Sequence, residues 1–593
     1  MNSLVGSLRR GSGWAGKYIG AEAGDVDKSQ VARAVERSKK GGGDRRRVVV
    51  VGGGHNGLVA AAYLAGAGME VTVLERRRTV GGACVTEEIV PGFKFSRGAY
   101  LAGLLRPGVV DELQLTRHGF SYLPRDPSSF TPTPERGGES LLMGGGDEAT
   151  LRAIARLNAA DAEAYPRYEG LLGAARDLVA PLLDCAPPQW DARARMPERV
   201  HTLRTLGGAA AQAVRHSKRL PELWELLTAP AAALLDRYFA NDLLKATLAT
   251  DAVIGANTAP SQPGSAYVLL HHVMGHCGDP SRGGVWSQVP GGMGTVTQAI
   301  AAAARERGAV IVTGAPVQRI LESGGAVRGV QLADGSVVEA DTVLSGTTPY
   351  HTFLELLPGE NSSLPASFVE HVRASDYSGG ALKINCAVDR LPDFLCLPNS
   401  PHSSSPGPQH RGTVHFEGSI AEIEAAHREA SSGRPASRPV IEMTIPSVID
   451  PSLAPAGKHV VQLFVQYAPY DLDPKVGSWA DPSFTNAYAD RIFRIVDEFA
   501  PGFSSSVIAR DVLTPYHLER VFGLHKGNIQ HGGIALHQIA WARPVPGFSS
   551  YRTPLKGLYM CAAGTHPGGG VQGAPGRNCA RVVISDLLGK FMK

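Results

Sequence analysis

Residues 47–75 read RVVVVGGGHNGLVAAAYLAGAGMEVTVLE. Val48 to Val51 form an uninterrupted apolar run, the pattern of a strand buried on both faces. The run enters Gly52-Gly53-Gly54-His55-Asn56-Gly57. Leu58, Ala61, Ala62 and Ala65 then recur at helical spacing, and Gly68 suits a C′ stop. Glu70 to Glu75 read as a second strand. A Gly-x-Gly-x-x-Gly turn between strand and helix, in a unit of about 30 residues, is a dinucleotide fingerprint. Gly52 allows the tight turn, Gly54 lets backbone approach a pyrophosphate, and Gly57 lets helix and strand pack closely. His55 and Asn56 open the helix, whose free N–H groups and partial positive charge attract phosphate. Glu75 is placed to accept hydrogen bonds from both ribose hydroxyls and to repel a 2′-phosphate. A purely structural glycine turn would leave that acid unexplained.

Beyond Glu75 the chain runs Arg76-Arg77-Arg78-Thr79-Val80-Gly81-Gly82. Acid, arginine two residues on, and Gly-Gly together resemble the extended FAD signature of the amine oxidase and carotenoid desaturase superfamily. Arg77 has the reach for a phosphate, and Gly81 and Gly82 let backbone lie against the pyrophosphate or ribityl chain. Many members carry arginine after the two glycines; Ala83-Cys84 stand here, so any role of that arginine is absent.

Two later blocks return to the same domain. Val289-Pro290-Gly291-Gly292-Met293-Gly294 leads into a predicted helix from Thr295 to Arg307, a strand at Ala309–Val312, a meander from Pro316, and a closing strand at Asp341–Ser345. This order resembles a segment of two-domain flavoproteins in which Val317 presents its backbone near the adenine; an independent β-rich domain is the alternative. At the C-terminus a strand, Gly557–Ala563, runs into a turn holding Gly564, His566, Gly568, Gly570 and Gly573, and a helix is predicted from Cys579 to Leu588. Gly568, Gly570 and Gly573 formally match a second fingerprint, but 20 residues remain after Gly573, too few for another strand and acid. The turn, with Gly564, Gly570 and Gly573, is read as facing the ribityl and pyrimidine edge of a flavin. His566 either sits close to the isoalloxazine or only braces the loop.

Composition bounds what surrounds these motifs. The 593 residues hold 59 Lys/Arg and 55 Asp/Glu, but residues 1–47 hold 11 against 5, so the body is near neutral. That balance disfavours a nucleic-acid-binding face. The basic, acid-poor start suits a mitochondrial transit peptide, with a plastid address or an inert tail as alternatives. No run of 18 apolar residues predicts a transmembrane helix. Seven scattered cysteines without CxxC suggest neither a disulfide framework nor a metal site, and favour a reducing compartment. Gly, at 70 residues, is well above the usual ~7%.

Stretches such as GGACVTEEIVPGFKFSRGAYLAGLLRP (81–107), ATLATDAVIGANTAPSQPGSAYVLLHHVMG (246–275) and DVLTPYHLERVFGLHKGNIQH (511–531) carry a further resemblance. From about residue 48 onward the chain resembles the pyridine nucleotide-disulfide oxidoreductase domain-containing protein 2 family, among the phytoene desaturase-like and carotenoid isomerase-like flavoproteins. The resemblance implies an α/β fold (α+β overall): a Rossmann-like FAD domain built from discontinuous segments and a mixed sheet-plus-helix substrate domain. It also implies a mitochondrial setting, with no established substrate. The expected division is 1–47 leader and linker, FAD domain at 48–107, 285–350 and 551–593, and substrate domain at 108–284 and 351–550.

Dithiol chemistry needs two close cysteines, yet the nearest pair, Cys386 and Cys396, is ten residues apart, so no disulfide reductase activity is expected. Candidates beside the flavin are Lys383 and His566, then His271, His272, His525, His531 and Trp541. None forms a Ser-His-Asp set or a metal-ligand spacing. Residues 192–219 carry seven Lys/Arg against one Glu, suiting either a solvated helix face or peripheral contact with an anionic inner membrane or the respiratory chain. These features favour an FAD-dependent oxidoreductase acting on an apolar small molecule, with hydride passing to flavin and then to oxygen or a quinone. A flavin-bearing assembly or regulatory protein and a carotenoid isomerase-like enzyme without net redox stay open.

Overall fold

The computed structural model describes residues 28–39, 46–188, 196–277, 283–357, 363–402 and 405–589. Most of the leader, and the GGGDRRR linker up to Arg45, lie outside these residues. The helix Lys28–Lys39 is described, and it buries Val31 and Ala34 against the first domain, with Arg37 paired to Glu70 at 2.6 Å.

The first domain is a parallel sheet with helices on both faces. Its order is Leu558–Met560, Thr342–Ser345, Arg47–Val51, Glu70–Leu74, Val310–Val312. Numbered along the chain this is 5-4-1-2-3, the half-Rossmann order with its topological switch between strands 1 and 4. Val48 and Val50 join one core, Val49 and Val51 the other. Each fully buried aliphatic side chain stabilises by about 1.5–3 kcal/mol, which is why four consecutive valines suit a strand sandwiched on both sides. The helix His55–Gly66 is buried nearly all round, between the helices Gly294–Glu306 and Ala574–Leu588. Its alanines let three helices pack closely. The meander from Val317 to Glu339 forms a separate three-stranded antiparallel sheet, as its two turn signals imply.

The second domain has a seven-stranded sheet ordered Val507–Leu513, Ala381–Val388, His459–Gln466, Val440–Thr444, Thr413–His415, Ser129–Pro132, Ser140–Met143. A helical layer, including Ala159–Leu183, Asp242–Thr250 and Ser265–Val273, builds a separate core around Tyr168, Leu172 and Leu269.

Three expectations need correction. Residues 108–120 are expected in the second domain, but Val109, Leu113, Leu115 and Phe120 pack in the core of the first. Likewise Phe353, Phe368 and Val372, beyond the expected boundary at 350, bury against the first domain's Val343 and Met560. The C-terminal helix begins at Ala574, ahead of the expected start at Cys579. Gly573 (φ +73°) turns the chain, Pro575 fits the first helical turn, and a side chain at Gly576 would sit 2.1 Å from the Asn56 carbonyl oxygen. The run of turn-forming residues hid a helix that close packing requires.

Candidate active site

A crevice opens at the carboxyl ends of strands 1 and 4, where open α/β sheets bind ligands. Gly52 adopts φ +94° and its amide donates to Leu74 O at 2.8 Å. A β-carbon on Gly57 would lie 2.4 Å from Gly52 O, so helix and turn touch through hydrogen atoms only. Gly54 differs: its backbone is ordinary (φ −69°, ψ 167°) and a β-carbon there would meet nothing within 4 Å. The space beside Gly54 belongs to the cavity, and Gly54, His55, Asn56 and Gly57 line it.

Glu75 is buried and held by backbone: Oε2 accepts from Gly53 N–H at 2.7 Å and Oε1 from Arg77 N–H at 2.8 Å. Each oxygen keeps further acceptor capacity toward the cavity it lines. Arg77 also lines the cavity, with Nη2 donating to Glu87 at 2.7 Å and the guanidinium 5.3 Å over the Phe522 ring. Gly81 and Gly82 fold back so that Gly81 N–H donates to Gly53 O at 2.8 Å, and both face the cavity. His55 Nε2 and Gly570 O, 3.2 Å apart, join the first and last glycine turns. Burial lowers His55 to about 4, so the imidazole is neutral at physiological pH. Val317 and Gly570 line the cavity. Gly564 and Gly573 instead serve packing: a β-carbon on Gly564 would strike Pro349 at 2.5 Å, and Gly573 caps the last helix.

His566 lies off this surface. Its Nε2 is 2.8 Å from the Leu182 carbonyl at the end of the long helix Ala159–Leu183, and burial lowers its pKa to about 4. Of the two readings, the bracing one is what the geometry shows. Trp541 is half exposed and donates to Pro188 O at 2.9 Å, and His525 stacks on Tyr350 with ring centres 3.6 Å apart. The side chain of His272 falls outside the described residues.

The cavity continues from the crevice into the second domain, with a volume of about 1290 Å³, above the ~300–1,000 Å³ of a drug-sized ligand site. It is large enough for more than one ligand. Lys383, on the strand Ala381–Val388, forms part of its wall. Its Nζ donates to Ser96 O at 2.7 Å and Asn385 Oδ1 at 3.1 Å, 5.1 Å from the Tyr100 ring centre. Desolvation outweighs the attraction of Asp511 and brings the ammonium down to about 7. His531 and His271 line the cavity as well. His531 sits at φ +60° with Nδ1 buried and without a hydrogen-bond partner among the described residues, and burial lowers it to about 3. Asn528 Oδ1 accepts from the amides of Gln530 and Gly532, at 2.9 and 3.1 Å, which fixes the loop presenting it. The buried carboxyl of Glu442, the half-buried carboxyl of Asp251, Tyr100 and the guanidinium of Arg125 form a further cluster on the cavity wall. Sequence reading missed these four because they lie on separate elements and belong to no motif.

The residues of the crevice suit a dinucleotide: an open cradle at Gly54, a helix N-terminus with Asn56 Oδ1 buried and without a partner among the described residues, and a fixed acid at Glu75. Fold and crevice define a two-domain flavoprotein oxidoreductase. A family model for flavin containing amine oxidoreductase matches residues 136–444, and one for an NAD(P)-binding Rossmann-like domain matches residues 50–105. Pyridine nucleotide-disulfide oxidoreductase domain-containing protein 2 of Mus musculus is 47% identical over 541 residues, 90% of this chain and 92% of that one. A limonene dehydrogenase chain of Castellaniella defragrans is 26% identical over 552 residues, 90% and 93% of the two chains. In fold, the chain is similar to putrescine oxidase (TM-score 0.54, 16% identity, 92% of this chain and 99% of that one). The chain therefore belongs to the family of pyridine nucleotide-disulfide oxidoreductase domain-containing protein 2, within the flavin containing amine oxidoreductases. Its cofactor is FAD.

Proposed function

We propose that this flavoprotein oxidises an apolar small molecule by hydride transfer to FAD, with oxygen or a quinone taking the electrons afterwards, in the mitochondrial matrix. One observation carries the reading: a single cavity joins the dinucleotide crevice at Gly54 to a chamber under the helical layer. Tyr165, Tyr168, Leu172, Leu248, Leu269 and Phe464 give that chamber an apolar and aromatic wall. Such walls bind by burying apolar surface and exclude water from the reacting centre. The relative named for limonene, a hydrocarbon, supports an apolar substrate.

When bound, FAD supplies hydride acceptance; the protein supplies binding and orientation. Lys383 Nζ, fixed by Ser96 O and Asn385 Oδ1, can hold or release a proton near neutral pH. His531 stays neutral over that range and offers hydrogen bonding without charge. All seven cysteines are free, and those at 84, 386 and 561 are pushed up to about 12 by burial. Thiolates are the reactive form, so this chemistry supports oxidation without dithiol exchange.

The test is anaerobic photoreduction of the FAD-loaded protein, followed by rapid mixing with oxygen or a quinone. Fast reoxidation by either is expected. Reduced flavin that persists with both would point to a structural cofactor. Import of a reporter fused to residues 1–45 tests the matrix location.

A further inference from the structure

Arg125 is a half-buried charge on the cavity wall that the flavin chemistry leaves without a role. It follows the short strand Leu123–Pro124, which pairs with Ser287–Gln288. Nε donates to Trp286 O at 3.1 Å and Nη1 to Thr413 Oγ1 at 2.8 Å. Both acceptors are neutral. A guanidinium has five N–H donors, so three are left without a partner among the described residues, in a side chain that lines the cavity. No carboxylate among the described residues comes within 4.0 Å of it. Burial lowers its pKa only to about 10, so it remains a cation. Drawing a cation even partly out of water without a counter-group is costly, and a ligand in the cavity that accepts from the remaining N–H groups would offset that cost.

The groups around it narrow the ligand. Glu442, whose charge acts on Arg125, already accepts from Tyr100 O–H at 2.5 Å. Asp251, at the end of the helix Asp242–Thr250, accepts no hydrogen bond among the described residues. Desolvation raises both carboxyls to about 7, so each is readily protonated and able to donate. A pure hydrocarbon would leave Arg125 and Asp251 dry and unpartnered. An ammonium head would face the guanidinium. An oxygen acceptor satisfies the unspent N–H groups and tolerates protonated carboxyls beside it.

We propose that the substrate is an apolar molecule ending in an oxygen acceptor, a carbonyl or a carboxylate, which the unspent N–H groups of Arg125 bind on the cavity wall. This rests on the reading of the cavity as the substrate site beside FAD. The head then anchors one end of the molecule and leaves its apolar body along the wall of tyrosines and leucines.

Four probes of one chain length decide the matter: decanoate, 2-decanone, decylamine and decane. Each is titrated into FAD-loaded wild type, read by the visible flavin spectrum and by calorimetry. Decanoate or 2-decanone is expected to bind about tenfold or more tightly than decane and decylamine. Whichever of the two binds better assigns carboxylate or carbonyl. Arg125→Met should abolish the preference while FAD content is kept, and Arg125→Lys should restore part of it. The wild-type panel decides even where Arg125→Met fails to fold. Equal or tighter binding of decane or decylamine, no binding by any probe, or a preference that survives Arg125→Met would overturn the proposal. Protein that holds FAD and is reoxidised rapidly yet shows no head preference refutes this inference alone. Protein whose reduced flavin persists refutes the redox reading.

Discussion

Replacing Gly54 by valine should separate cofactor binding from folding. The backbone there, φ −69° and ψ 167°, is open to any residue, and a β-carbon would meet nothing within 4 Å. The FAD-free protein should therefore keep its stability within about 0.5 kcal/mol, or gain slightly from a less flexible unfolded chain. The side chain would instead occupy the space through which a pyrophosphate approaches the helix N-terminus. Overpacking of that kind costs about 1–3 kcal/mol, which is roughly a 5- to 150-fold loss of FAD affinity. Gly57→Ala is the control, because its β-carbon would lie 2.4 Å from Gly52 O. There the strand-helix contact itself must give, at about 1–3 kcal/mol, with or without FAD. Flavin absorbance per chain and chemical denaturation, each with FAD stripped and restored, provide the assay. Wild type should gain about 2.7 kcal/mol when FAD is a hundredfold above its Kd. At the same FAD concentration Gly54→Val should lose about 1–2.4 kcal/mol of that increment, and Gly57→Ala should start from a lower baseline. Full FAD retention by Gly54→Val, or a loss of FAD-free stability matching that of Gly57→Ala, would refute the reasoning.

Other substitutions test the buried charges. Lys383 has its pKa lowered to about 7 from an unfolded value near ~10.4, so its burial penalty is full below pH 7 and fades as pH rises toward 10. Wild type should gain stability relative to Lys383→Met across that window in denaturant titrations. Asp251 is raised to about 7 from an ordinary value near ~3.9, so the folded state binds the extra proton and stability falls as pH climbs from 4 to 7. Asp251→Asn should therefore be more stable than wild type at pH 8, and the difference should vanish near pH 4. Arg543 donates to the carbonyls of Gln530, Gly533, Gln538 and Ala563, tying the His531 loop to the C-terminal glycine turn. Arg543→Met should lower stability by about 3 kcal/mol or more in thermal melts, through several stranded acceptors.

Local pattern was enough to read the nucleotide half. Its strand, turn, helix and acid lie within residues 47–75, and glycine positions carry their own steric reasons. The same is true of Val317 and Gly570, which sit in short blocks with strong strand and turn signals and which the fold brings to the crevice. His566 illustrates the limit. A histidine in a glycine turn beside a flavin invites a catalytic role, and nothing local says that its ring turns to Leu182, 384 residues away. The hidden start of the last helix is the same kind of failure, since contact with Asn56 overrides the turn propensity of Pro575 and Gly576.

The sequence by itself determined the dinucleotide fold, the cofactor class and the return of three chain segments to one sheet, because backbone geometry at glycines and apolar periodicity are local properties. Only the tertiary structure decided where the domains divide, that Lys383 and His531 line one cavity, and that Arg125, Asp251, Glu442 and Tyr100 come together on it. Those four come, in that order, from a strand end, a helix end, a central strand and a loop. Their shifted acidities arise from desolvation by the assembled core, and burial is a property of the whole fold that no stretch of residues carries alone.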